Sequence, residues 1–144
     1  MCVGIKNGWT EYPSVGIKTE PADDVKAIAL RLLDCLDFGY IAQPRLFFVR
    51  SHGAKANCYA RIWSMPEIWR VALDIGVYYV IEVLSEHFDR LSEQEQAKVI
   101  IHELLHIPGK FSGGLRMHKH GGLRVDEKTV NEYYQEYVRR SARQ

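Results

Sequence analysis

The sequence predicts an α+β domain, a small and mostly antiparallel sheet packed against helices. Three observations predict it. Two stretches with the apolar spacing of amphipathic helices, near residues 25–36 and 92–106, bracket a run of short β-branched and aromatic segments. A third helical stretch follows a glycine-rich loop and carries its own cap. No repeat or low-complexity tract interrupts them, and 144 residues suit one domain over 1–144.

Residues 1–20 are rich in Gly, Pro and Thr with scattered apolar side chains, and read as an irregular arm or a weak edge strand. Val25, Ile28, Ala29, Leu32, Leu33 and Leu36 then form the buried stripe of a first helix. Pro21 is expected in its first turn, with Asp23 and Asp24 complementing the dipole and Gly39 stopping it. Strands are expected at Leu46–Val49, Tyr59–Trp63 and Tyr78–Leu84, the last rich in the residues that favour a pleated surface. Ile68–Leu73 is ambiguous between a strand and a helical turn. Ser92 and Glu95 make a capping box for a second helix, which must end near Pro108-Gly109. Asp126 caps a third helix, with Val125 and Val130 as a hydrophobic staple and Val130, Tyr133, Tyr134, Tyr137 and Val138 as its stripe.

Composition narrows the classes of function. Nineteen basic and eighteen acidic side chains leave a net charge of +1, so nothing pulls the whole chain toward nucleic acid or an anionic membrane. The one dense basic run is Arg139, Arg140 and Arg143, and nucleic-acid binding is not indicated. No apolar run is long enough for a transmembrane helix, and the N-terminus lacks a signal peptide's apolar core. Three cysteines, Cys2, Cys35 and Cys58, form no CxxC pair and suit a reducing compartment. A cytoplasmic protein is expected.

The chemistry is carried by His102-Glu103-Leu104-Leu105-His106, an HExxH motif. Residues i and i+4 lie one turn apart on one helical face, so both imidazoles can reach a single metal ion. Glu103 lies about 100° around the helix from His102, beside the metal and outside its ligand shell. A zinc ion makes water acidic near neutral pH, and Glu103 stands where it can take that proton. Ala97, Ile100, Ile101 and Leu104 share another arc, which would pack on the sheet and leave the histidines toward a cleft.

A catalytic zinc needs a third protein ligand and an open position. The longer motif HExxHxxGxxH fails here, because Ser112 stands where its third histidine belongs and Pro108 breaks the helix. Glu127 and Glu132 could serve as a glutamate from the following helix. His118 and His120 lie in a loop whose glycines let it fold back, and alternation points both the same way. His118 is favoured over His120.

The stretch Val99-Ile100-Ile101-His102-Glu103-Leu104-Leu105-His106-Ile107-Pro108, with Phe111-Ser112-Gly113-Gly114 and His118 beyond it, resembles the metallopeptidase family of archaea, bacteria and phages. It is more distantly similar to the SprT-like zinc proteases. The resemblance, firmest over about residues 78–138, implies two ligands from HExxH, a third histidine from the downstream loop, and a zincin-like fold. It also implies that the strand before the active helix forms part of the substrate cleft. Those proteases often add a zinc ribbon, which this chain has no CxxC pair to build, and that departure weakens any transfer of their DNA-repair role.

The expected function is hydrolysis of a peptide or protein substrate at a Zn2+ centre, with Glu103 as general base. The alternatives are a zincin-fold binding module whose zinc is structural, acting on DNA or a protein partner, and hydrolysis of a small-molecule amide. Arg116, Tyr59, Tyr40 and Tyr79 are candidates to stabilise an oxyanion. Trp63 and Trp69 could form an aromatic shelf. His52 and His87 have no ligand spacing.

Overall fold

The computed structural model describes residues 4–6, 9–11, 16–118 and 123–144. Strands β1 (Gly4–Lys6) and β2 (Trp9–Glu11) pair as a short antiparallel hairpin. The main sheet has four strands, β3 (Lys18–Pro21), β4 (Leu46–His52), β5 (Ala60–Ser64) and β6 (Tyr79–Leu84), in the order β3-β4-β6-β5. The described residues also form five α-helices: α1 (Asp23–Cys35), α2 (Glu67–Leu73), α3 (Ser85–Phe88), α4 (Glu93–Leu105) and α5 (Glu127–Ser141). No described helix is long and apolar enough to cross a membrane.

The α+β class is as expected, but the sheet is mixed. Both outer pairings are antiparallel, whereas the central pair β4 and β6 is parallel, with Phe48 opposite Ile81. A parallel neighbour needs a crossover, and residues 53–78 supply it, carrying β5 and α2 on the way. Within the expected arm, Lys18–Glu20 belong to edge strand β3. Pro21 ends that strand instead of opening α1, a position where its missing N–H does least harm. α1 stops at Cys35, before Gly39, because Leu36 turns to extended backbone. Ile68–Leu73 is helical.

The core lies between one face of the sheet and helices α1 and α4. Leu46 and Phe48 of β4 and Tyr79, Ile81 and Val83 of β6 meet Val25, Ala29 and Leu32 of α1 and Ile100, Ile101 and Leu104 of α4. Both predicted caps form. The Ser92 hydroxyl accepts the Glu95 N–H while the Glu95 carboxylate accepts the Ser92 N–H, and Asp126 accepts the Thr129 N–H. Val125 and Val130 are both buried. Of the expected α5 stripe only Val130 is fully buried; the three tyrosines are half-buried and Val138 is exposed.

The opposite sheet face holds a buried carboxylate. Glu82 is bound by Arg61, by Trp63 Nε1 and by the Ser51 hydroxyl. Burial raises its pKa, but these three donors outweigh that and hold it below the usual carboxylate value. The basic run at the C-terminus is tied down in part: Arg139 and Arg140 both pair with Glu136, and Arg140 also reaches Asp37 and the Cys35 carbonyl.

Candidate metal centre

α4 presents the HExxH residues as its last turn. His106 is the C-cap and keeps right-handed helical backbone (φ −70°, ψ −18°), so the i, i+4 relation to His102 survives to the end of the helix. The chain then turns at Pro108. Phe111 has a left-handed φ of 49° and Gly113 a φ of 97°, and together they reverse the loop toward α4.

Two fixtures hold the returning loop. The Tyr79 hydroxyl, rising from β6, donates to the Gly114 carbonyl at 2.8 Å and accepts the Gly113 N–H at 2.9 Å. Next to it, the Arg116 N–H donates to the His106 carbonyl at 2.6 Å, and His106 Nδ1 donates to the Arg116 carbonyl, also at 2.6 Å.

The loop thereby delivers His118 to the other two histidines. His102 Nε2 lies 3.3 Å from His106 Nε2 and 3.2 Å from His118 Nε2. One ring nitrogen from each residue falls within 4.8 Å of the others. Direct hydrogen bonds cannot satisfy this triangle. His106 spends its proton on the Arg116 carbonyl, so its Nε2 is only an acceptor when the ring is neutral. His102 Nε2 can then donate to one neighbour, not both. A cation resolves the conflict. Three imidazole nitrogens on a tetrahedral zinc at 2.0–2.1 Å stand about 3.3–3.4 Å apart, close to the spacings seen. The donor set fits a divalent metal with a preference for nitrogen ligands.

Burial favours the neutral form of His102 and His106, as ligation needs. Burial, and then the neighbouring His106 and His118, push the His102 pKa down to about 4. Burial lowers that of His106 despite its bond to the Arg116 carbonyl.

Glu103 is 7% exposed. Among the described residues nothing hydrogen-bonds its carboxylate, and burial raises its pKa to about 7. It sits where two cavities join. One, of about 490 Å³, runs past His102, His106 and His118 along Ala60 and Ile62 of β5. The other, of about 610 Å³, lies beyond Glu103 between Tyr59, Val99 and Val130. Cys58, a free thiol, borders both.

The remaining candidates separate clearly. Glu127 lines the second cavity without joining the histidine cluster. Glu132 faces other cavities on α5. His120 lies outside the described residues. The Tyr79 hydroxyl is committed to the loop, and the Arg116 guanidinium lies against Gly109. Trp63 serves Glu82. The cleft wall is β5, whereas the strand before the active helix, β6, is paired on both sides. Sequence reasoning had no access to the Arg116 main chain or to β5 being an edge strand among the described residues, since backbone groups leave no mark on residue type.

A helix that aims two imidazoles at a third from the loop beyond, with a buried carboxyl beside them, is the arrangement of a metal-dependent hydrolase. A family model described as "Putative phage metallopeptidase" matches residues 17–142; the chain belongs to that family. No curated protein and no solved structure matches it.

Proposed function

We propose that this chain is a zinc peptidase with a zincin-like site, cutting peptide bonds in polypeptide substrates, with His102, His106 and His118 as ligands and Glu103 as general base. The observation that carries this reading is the meeting of three imidazole nitrogens beside a buried carboxyl that has no hydrogen-bond partner among the described residues.

Zinc held by the three histidines supplies Lewis acidity toward a water molecule and the scissile carbonyl. The protein's own groups do the rest. With a pKa near 7, Glu103 is basic enough to take a proton from the attacking water and acidic enough to pass it to the leaving amine. The Arg116 carbonyl holds the His106 ring in the tautomer that keeps Nε2 free, and orients it.

The cleft wall favours a polypeptide over a small amide. The Met65 N–H bonds the Tyr78 carbonyl and the Leu84 N–H bonds the Tyr59 carbonyl. Odd-numbered residues of β5 therefore turn their backbone groups toward β6. Ala60 and Ile62 turn theirs outward, along the cavity that holds the histidines. An extended substrate can add there as a further strand. A purely structural zinc would be closed by four protein ligands, and such a site has no use for an unpartnered Glu103.

Glu103→Gln is the decisive variant. It should keep about one zinc per chain and the wild-type fold, while peptide hydrolysis falls by roughly 10²–10⁴. Hydrolysis at the wild-type rate would remove Glu103 from the mechanism. Failure of His102→Ala, His106→Ala and His118→Ala to lower zinc content would remove the metal site.

A further inference from the structure

Helix α2 is apolar and yet contributes no buried residue. Ile68 and Val71 are each 75% exposed and Trp69 is 56% exposed. Seven residues cannot hold a helix by propensity alone. One tether is visible: the Arg70 guanidinium lies so close to Gly113 that a Cβ there would stand 3.2 Å from it. That contact sets α2 against the loop that carries Arg116 and His118. The chain leads to the same place, since β5 ends at Ser64 and α2 begins at Glu67. The cleft has apolar walls of its own, since Ile62, Leu115 and Met117 line the cavity around the histidines. Exposed apolar surface beside a binding cleft marks an interaction site more often than an accident of packing.

We propose that α2 is a docking surface for the substrate polypeptide itself, gripping an apolar segment several residues away from the bond that is cut. The proposal rests on the peptidase reading above. A substrate strand lying along Ala60–Ser64 leaves β5 where α2 begins. At about 3.3 Å per residue that strand is roughly 17 Å long, so the docked side chains lie about four to eight positions from the scissile bond, on the side running toward Ser64. Glu67, Arg70 and Asp74 carry both signs of charge; the surface selects large apolar side chains and not net charge. It also requires the substrate to be extended over that whole stretch.

The test uses the full zinc-loaded chain and the double variant Ile68→Glu/Val71→Glu, whose sites are too exposed to disturb the core. A cleavable peptide of about six residues, found in a library, is compared with a form lengthened to about sixteen by an apolar extension. In the wild type the longer peptide should have the higher kcat/KM. In the variant its kcat/KM should fall about tenfold, mainly through KM, while the short peptide is cut as before. Equal loss on both peptides, or no loss on the long one, overturns the docking surface and leaves the peptidase standing. A wild type that cuts neither peptide removes both readings. A dimer that dissociates in the variant would give α2 to a second copy of the chain. A thermal midpoint lowered by several degrees would give it to another part of the same chain. Either result overturns the proposal.

Discussion

His106 and Arg116 are locked together by two reciprocal hydrogen bonds, main-chain N–H to carbonyl in one direction and imidazole Nδ1 to carbonyl in the other, each 2.6 Å long. One bond sets where the loop returns to the helix; the other sets which nitrogen of His106 is free. The Arg116 guanidinium takes part in neither, and its Nη1 is buried without a hydrogen-bond partner among the described residues.

The main chain of Arg116, and not its charge, should therefore govern metal affinity. Arg116→Pro deletes the N–H and should weaken zinc binding by about 10–100-fold, the usual effect of losing a group that orients a ligand. Arg116→Ala keeps both bonds and should bind zinc nearly as the wild type does. Competition with a chromophoric chelator measures both; equal losses in the two variants would mean that the side chain matters after all.

Tyr79 should behave as a positioning residue. Its hydroxyl is the shared partner of the Gly113 N–H and the Gly114 carbonyl, on a side chain with no exposed surface. Tyr79→Phe leaves those two groups without it, at a cost of about 1–3 kcal/mol in stability. Because the loop carries His118, zinc affinity should fall as well, whereas a purely structural role would lower the denaturation midpoint and leave the affinity of the folded protein alone. Urea unfolding and zinc titration on the same variant separate the two.

What was legible in the sequence depended on period and proximity. The stripes of α1 and α4, the Ser92 and Asp126 caps and the HExxH face are local patterns, and each is present. Of the two loop histidines, His118 stands in the cluster, while His120 lies outside the described residues. Strand order was not legible, because nothing local to Leu46–Val49 or Tyr78–Leu84 says that they run parallel as neighbours. α2 is ambiguous in sequence because five apolar residues in a run of six fit either period, and because solvent, which sequence patterns treat as closed to such residues, surrounds it. In sequence Tyr79 reads as a candidate to stabilise an oxyanion; that it braces the loop follows only from its hydroxyl meeting Gly113 and Gly114.

The same burial that suits Glu103 to the proposed role of general base should make it a liability to folding, and pH reveals the sign. A glutamate in the unfolded chain ionises near 4.5, whereas burial keeps Glu103 protonated up to about 7. Between those values the unfolded chain gives up a proton that the folded chain retains. Stability therefore falls as pH rises through this window, and the full penalty, on the order of 3 kcal/mol, persists above it. Glu103→Gln preserves shape and removes the titration. In metal-free protein the variant should be the more stable at about pH 8, with the gap closing toward about pH 4.5, as read from urea midpoints across that range. Bound zinc should narrow the gap, since a nearby cation favours the ionised carboxylate. A metal-free wild type as stable as the variant at about pH 8 would mean that Glu103 has a partner or a solvent path in solution, and a base relieved in that way would lose the raised pKa on which its proton transfer depends.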